Sequence, residues 1–542
     1  MVKNSFKRLA AALLPLAALI LLPALLREKQ PVPDTGNADV LVILTPHAES
    51  IKSEFERAFQ RHYYDRTGRG IRIDWRSPGG TADIVRYIND RFEAAFRHHW
   101  EASGETWSDA VAAGFRNPRV KPDRAAGAPA DARARGVFLD SQVSIGVDLF
   151  FGGGTYDHAN QARKGYAVDG GIARRHPDWF RSDIIPERWS GETIYAADGG
   201  YYGVCLATFG ICANPDRLRE IGFTPRRWSD LGRSEFFNAV ALADPTKSGS
   251  INKCFEVILQ QSMAEASRLD PARGPALGWR NGFNLIRRLT ANSRTISDSA
   301  GKVTREVASG SAAAGMAIDF YALSEAQYAD FQTGAGSNRI VYIPPEGGSS
   351  VSADPVQLLR GAPHPEAARI FLDFLLSEAG QQIWTYRAGT PGGPEKYTLR
   401  RPPVRRDLYG GKHRPFMADP DYDPYAATGD FQYRADWTGR YFNLIRVLIR
   451  TTMFDAADEL KEAWRAILAA GGPEAVPEAM KIFEEEIVPY AEAAQAAAAL
   501  VPSPEHPMEK VIALRREWTR RAIRQYRRAA AVARGEAARQ EQ

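Results

Sequence analysis

The chain has 542 residues, 44% of them hydrophobic and 25% charged, the balance of a globular protein longer than one ordinary domain. Its formal net charge of +5 is small for this length, and much of the basic excess sits in the C-terminal tail, so nothing points to nucleic acid as a partner. The three cysteines, Cys205, Cys212 and Cys254, make neither an even disulfide framework nor a metal-ligand spacing. They read as buried thiols, with one disulfide left open for an exported chain.

Lys3, Lys7 and Arg8 precede an apolar run from Leu9 to Leu26 that Arg27-Glu28-Lys29 ends, the tripartite pattern of a secretory signal. The run is at the short limit for spanning a bilayer. Neither a small-x-small cleavage site nor a cysteine follows it. Residues 1–30 are therefore expected to be an uncleaved signal-anchor with the body outside the cytoplasm, cleavage to a soluble chain being the alternative. Gln30 to Ala38 reads as a linker.

Val40 to Leu44 is a continuous apolar run, suited to a strand buried on both faces of a parallel sheet. Ile51, Phe55 and Phe59 mark the next helix, and Ile71 to Trp75 a second strand. Ser77-Pro78-Gly79-Gly80-Thr81 then leads into a helix carrying Ile84, Val85 and Ile88. In such repeated strand–turn–helix units ligands bind at the carboxyl ends of the strands, which places Thr45, Gly80 and Thr81 beside a cleft. His47 reads as a solvated loop residue. Residues 89–136 read as an insertion, Ala-, Arg-, Pro- and Gly-rich in its second half, and His98-His99-Trp100 as surface residues without metal-ligand spacing. Val147 to Phe151 resumes the sheet and runs into Gly152-Gly153-Gly154-Thr155, where glycines let backbone approach a ligand.

Tyr202 to Asn214 is a long extended apolar stretch. Val240 to Ala243 is a short buried strand, stopped by Asp244-Pro245, and Ile251, Phe255, Ile258 and Leu259 form the apolar stripe of a following helix. Ser248-Gly249-Ser250 thus sits on a strand-to-helix turn, where free backbone N–H groups and the positive end of the helix dipole suit an anion. A plain N-cap is the other reading of the same residues. Ala313 to Ile318 reads as a strand ending in Asp319-Phe320-Tyr321, and Pro365 to Ser377 as a helix. Past Tyr409 the helical segments 455–469, 482–499 and 510–539 follow, the last dense in arginine and read as a solvated face, with an anionic surface as the alternative.

Leu242 to Ser250, Gly152 to Asp157, Trp228-Ser229-Asp230-Leu231, Ala313 to Tyr321 and Val341 to Gly348 resemble segments of the bacterial extracellular solute-binding proteins of ABC importers, a group holding ferric-iron and phosphorylated-sugar binders. The resemblance covers roughly Asp39 to Leu408. It implies an α/β fold of two lobes in the type II periplasmic-binding-protein arrangement, hinged where the chain crosses at about 202–214 and 341–348. Lobe one is then 38–210 with 341–408, lobe two 211–340, and 409–542 a helical C-terminal extension. The implied ligand-binding set is Thr45, Gly80, Thr81, Gly154, Thr155, Thr208, Ser248, Gly249, Ser250, Asp319 and Tyr321, with Ala388 to Gly392 brushing the cleft. Iron binders of this group resemble the Phe320-Tyr321 position with two tyrosines, and only Tyr321 stands here.

No Gly-x-Ser-x-Gly elbow, His-Glu-x-x-His or dinucleotide fingerprint is present. The expectation is a non-enzymatic receptor without cofactor or metal. It takes a small anionic, phosphorylated organic solute and hands it to an importer permease at the periplasmic face of the inner membrane, held there by residues 9–26. A ferric-iron receptor is the alternative. A membrane-anchored scaffold, or a hydrolase with a scattered catalytic set, is the alternative of another class.

Overall fold

The computed structural model describes residues 38–536 apart from 126, 334–338, 428, 430, 504 and 505. The expected anchor, residues 9–26, lies outside the described residues, as do residues 537–539 of the expected terminal helix. Among the described residues no helix is long and apolar enough to cross a membrane.

Strand β1 (Asp39–Leu44) lies between parallel neighbours β2 (Ile71–Arg76) and β3 (Leu149–Phe151), which is why its apolar run is unbroken. Helix α1 (Glu49–Thr67) covers one face through Ile51, Phe55, Phe59 and Tyr63, spaced four apart. Helix α2 (Thr81–Ala102) covers the other through Ile84, Ile88, Phe92, Phe96 and Trp100. Because α2 runs straight through position 89, the expected insertion is no separate unit. Helices α3 (Asp109–Arg116) and α4 (Ala130–Asp140) pack on it: Phe96 stacks on Phe115 at 5.0 Å and meets Phe138 edge-on at 5.3 Å. Trp100, expected at the surface, is a core residue at 1% exposure. Helix α5 (Thr155–Lys164) follows β3.

All twelve residues of β4 (Tyr202–Ala213) are buried. The chain continues through β5 (Val240–Ala243), α6 (Gly249–Leu269), α7 (Gly274–Ala291), β6 (Ser293–Ser297), α8 (Ala300–Ala308), β7 (Ala314–Ile318), α9 (Asp319–Thr333), β8 (Val341–Ile343), β9 (Val351–Leu359), α10 (Pro365–Leu376) and α11 (Glu378–Thr385). The sheet order is β2-β1-β3-β9-β4-β7-β5-β6. The first part of β4 pairs with β9, up to Thr208↔Val351, and the second with β7, from Phe209↔Ile318. One strand therefore serves two halves of the molecule, and the chain returns between β8 and β9.

The helical C-terminal region is present, and the segment past 409 packs on both halves. Residues up to about 431 stay on the first half, where Tyr425 Oη donates to Val404 O (2.6 Å) and Trp189 meets the Tyr425 ring edge-on. The chain then crosses a third time: Tyr433 N donates to Ser190 O (2.8 Å), and Arg434 N to Gln260 Oε1 of α6 (3.0 Å). Beyond it α12 (Phe442–Ile449), the π-helical turn Arg450–Phe454, α13 (Ala457–Ala469), α14 (Pro477–Phe483), α15 (Ala493–Ala499) and α16 (Met508–Ala533) join the second half. Ile445, Trp464, Phe483 and Tyr526 share one core with Phe255 and Trp279, and the indole N–H of Trp464 donates to Asn292 Oδ1 (2.9 Å). These helices are part of the second half's core. All three cysteines are free and buried.

Candidate ligand cleft

A cleft of 2850 Å³ lies between the halves. It is several times the roughly 300–1,000 Å³ typical of a small-molecule pocket. The halves also touch each other directly. A Cβ built on Gly80 would stand 3.7 Å from Lys247 O, and Tyr156 packs on Phe442 with ring centroids 4.9 Å apart.

Among the helices that open into the cleft at their N-termini are α2 at Thr81, α5 at Thr155 and α6 at Gly249. Their first turns are not equivalent. The α2 turn is answered from within, since Gly80 N donates to Asp83 Oδ2 at 3.1 Å. Asp157 lies in the first turn of α5, where burial pushes its carboxyl up to about 6 against the opposing pull of Arg446. The α6 turn has no acidic residue. Ser248 caps Ile251 N at 3.4 Å, and its hydroxyl lies 3.1 Å from that of Ser250, with Lys247 and Lys253 on either side. This is the end most open to an anion.

Of the expected site residues, Gly80, Thr81, Gly154, Thr155, Ser248, Gly249, Ser250 and Tyr321 line the cleft. The glycine run after β3 has a packing reason. Gly152, at φ +97°, passes so close to the His47 ring that a Cβ would come within 2.7 Å, and Gly153, at φ +107°, does the same at 2.8 Å from Thr81 Cγ2. The Thr155 hydroxyl is already used, donating to Ala353 O at 3.1 Å.

Thr45, Thr208 and Asp319 are not among the lining residues and are buried to 4% exposure or less. Thr45 Oγ1 accepts the His47 N–H (3.1 Å). Thr208 and Asp319 belong to the crossings instead. Asp319 Oδ2 accepts from Thr208 N (2.9 Å), Thr208 Oγ1 (3.2 Å) and Tyr422 Oη (3.1 Å), and Oδ1 accepts from Phe320 N (2.7 Å). The Thr208 hydroxyl also reaches Tyr342 Oη (2.8 Å) and Tyr422 Oη (2.6 Å). Burial raises the Asp319 carboxyl to about 6, opposed by the N–H groups of Thr208 and Phe320 and by Arg401. The Asp319 carboxylate so ties the outgoing strand to the segment that carries Tyr422, and the Thr208 hydroxyl adds the returning segment through Tyr342. Ala388 to Gly392 does not reach the cleft; Gly389 N bonds to Pro394 O within its own turn.

Sequence reasoning missed the charged floor. Arg401 Nη1 donates to Asp354 Oδ2 (2.6 Å), and His47 Nε2 lies 3.1 Å from the same oxygen. The Arg401 guanidinium is 2% exposed and lies 4.1 Å over the Phe320 ring. Burial alone would raise the Asp354 carboxyl; Arg401 and then His47 overturn that and hold it well below the usual carboxylate range. Arg401 Nε, Asp354 Oδ1 and His47 Nδ1 have no hydrogen-bond partner among the described residues. An aspartate inside the apolar run Val351 to Leu359 was the one visible signal. A second ion cluster spans the halves: Lys253 Nζ contacts Glu192 Oε1 (2.6 Å) and Glu256 Oε2 (2.8 Å) and lies 3.7 Å over the Tyr433 ring. Among the described residues no group of three or more His, Cys, Asp or Glu is placed to hold a metal ion.

Residues 146–406 match the model of a family described as bacterial extracellular solute-binding protein. That segment is a bacterial extracellular solute-binding domain. It holds β3, the whole of β4 and β9, the α6 turn and Arg401, and so about half of the cleft lining. Over 275 residues the chain is 26% identical to the phosphoglycerate transport regulatory protein PgtC of Salmonella typhimurium, covering 49% of this chain and 57% of that protein. An uncharacterized protein of Haemophilus influenzae is 24% identical over 242 residues, 44% of this chain and 60% of that one. The chain thus spans less than two thirds of the length of the curated relatives it matches. Among solved structures, iron-bound HitA of Pseudomonas aeruginosa is 15% identical with a TM-score of 0.46, over 75% of this chain and 98% of that one. AfuA of Actinobacillus pleuropneumoniae, with fructose-6-phosphate bound, is 16% identical with a TM-score of 0.44, over 76% and 99%. At such scores neither likeness bears on the choice of ligand.

Proposed function

We propose that the protein is an extracytoplasmic solute receptor of an ABC importer that binds a small anionic, phosphorylated organic solute between its two halves. The observation that carries this reading is the α6 turn. Two hydroxyls, a glycine and a helix start free of first-turn carboxylates face the Gly80-Thr81 and Gly154 turns across one cleft. A phosphoryl group set there accepts from Ser248, Ser250 and backbone N–H groups, while the polar floor of Asp354, Arg401 and His47 meets the hydroxyls or carboxylate of the organic part. The name of the Salmonella relative, which speaks of phosphoglycerate transport, is chemistry of this class. Ferric iron fits less well, because a hard trivalent cation wants several oxyanion ligands. Phe320 stands beside the single Tyr321, and the Asp354 carboxylate is already shared by a guanidinium and an imidazole. The body works at the periplasmic face of the inner membrane, tethered by residues 9–26.

A thermal-shift screen of sugar phosphates, phosphorylated three-carbon acids, their dephosphorylated counterparts and ferric citrate tests the reading, because a ligand that binds only the folded state raises its midpoint. Stabilisation by phosphorylated compounds alone supports it. Stabilisation by ferric citrate alone, or by the dephosphorylated set equally, overturns it.

A further inference from the structure

The terminal helix α16 carries eight basic and two acidic residues, an excess of six against a whole-chain excess of five. The positive charge of the protein is therefore concentrated on one helix, and the rest of the chain is close to neutral. Val511, Trp518, Ala522, Gln525, Tyr526, Ala529, Ala530 and Ala533 face the core. On the other side Arg516, Arg520 and Arg524 follow one another four residues apart, all exposed. Arg520 and Arg524 share Glu517 at 3.8 and 3.4 Å, Arg527 reaches Glu459 at 3.1 Å and Arg528 reaches Glu485 at 3.9 Å. Arg515 and Arg516 have no carboxylate partner among the described residues.

A second observation joins this one. Eight large hydrophobic side chains stand exposed among the described residues, and two of them, Met508 at 53% and Ile512 at 41%, lie one turn apart at the start of α16. Met508 and Ile512 lie on the helix face that Tyr526 and Ala530 bury eighteen residues later, about five turns on. Val511 anchors this end of α16 in the core while Met508 and Ile512 stay exposed beside it, and from them the row spaced four apart continues into Arg516, Arg520 and Arg524. Isolated exposed apolar residues are ordinary, whereas an apolar tip continuous with a basic stripe is the pattern of a surface lying in a lipid headgroup layer. An acidic protein surface would use the arginines and leave Met508 and Ile512 in water.

We infer that the exposed row of α16 spaced four residues apart, Met508 and Ile512 followed by Arg516, Arg520 and Arg524, docks on an anionic lipid surface, with the two apolar side chains at the level of the headgroups. This does not depend on which solute the cleft takes.

Sedimentation of the full chain with phosphatidylcholine vesicles, with and without phosphatidylglycerol, tests it. The apolar N-terminal segment and its basic flank are the same in every variant, so differences between variants report the helix. Each basic residue near an anionic surface is worth about fivefold in partition, so R516E/R520E/R524E should lose on the order of 10²-fold toward phosphatidylglycerol vesicles and little toward phosphatidylcholine. All three side chains are exposed, so the thermal midpoint should hold. A second measurement needs no charge change. The native cysteines are buried, so Met508→Cys takes an environment-sensitive dye selectively, and its emission should shift to the blue only with anionic vesicles. A triple variant that partitions to both vesicle types like the parent would overturn the inference. Binding without any dye shift, competed away by polyglutamate, would overturn it in favour of an acidic protein partner.

Discussion

Replacing Asp319 by asparagine should remove a pH dependence set where β4, the start of α9 and the Tyr422 segment meet. Its two oxygens each face a backbone donor, Thr208 N at 2.9 Å and Phe320 N at 2.7 Å. An amide turned either way sets its own NH₂ against one of them, at a cost of about 1–3 kcal/mol. Against that stands the buried charge, since burial raises the carboxyl from its ordinary 3.8 to about 6. The folded state then holds the proton more tightly than the unfolded chain. The stability this contributes is fully present below pH 3.8 and is lost as pH rises through about 6, a loss of roughly 3 kcal/mol. Asparagine carries no such charge. The variant should be less stable than the parent by about 1–3 kcal/mol near pH 4, and level with it or more stable near neutrality. Urea denaturation of both proteins at the two pH values gives the difference directly. A gap that stays constant between them would refute the picture of an ionised carboxylate held dry beside β4.

Arg401→Gln should destabilise the protein by about 3–5 kcal/mol, read as a fall in thermal midpoint, because Asp354 is left with only His47 against its charge. Trp518→Ala on α16 should cost about 3–5 kcal/mol and shift a single unfolding transition of the whole second half. A separate early transition for residues 435–533 would show that these helices form a unit of their own. Thiol titration of the native protein should find no reactive cysteine, burial having pushed the Cys212 thiol up to about 12, and three thiols after denaturation.

The strands at the centre of the sheet were legible because each is a continuous apolar run, and β1, β4 and β5 are buried on both faces. The α6 turn was legible from its stop at Asp244-Pro245 and the apolar stripe after it. Thr208 and Asp319 were read as ligand contacts because a polar residue in an apolar strand looks the same whether it faces a solute or another crossing. Only the segment past Tyr409, which brings Tyr422 onto them, tells the two apart. The pair of Asp354 and Arg401 joins segments 47 positions apart, so neither residue signals it alone. His47 looked solvated because nothing local shows that Gly152 presses on its ring. The apolar faces of the C-terminal helices were visible, but not the core they complete, and α2 hid its own continuity behind the Ala-, Arg- and Pro-rich stretch that follows it.

Calorimetric titration of a phosphorylated three-carbon acid and of its dephosphorylated counterpart, into the parent and into S248A/S250A, tests the central claim most directly. The parent should bind the phosphorylated acid in strong preference. The double variant, folded as before, should lose two donors to the anion and roughly 10²-fold or more in affinity. Equal affinity for both compounds, or a double variant that binds like the parent, would contradict the account; so would tight ferric binding with a tyrosinate colour that Tyr321→Phe abolishes and the serine changes leave untouched.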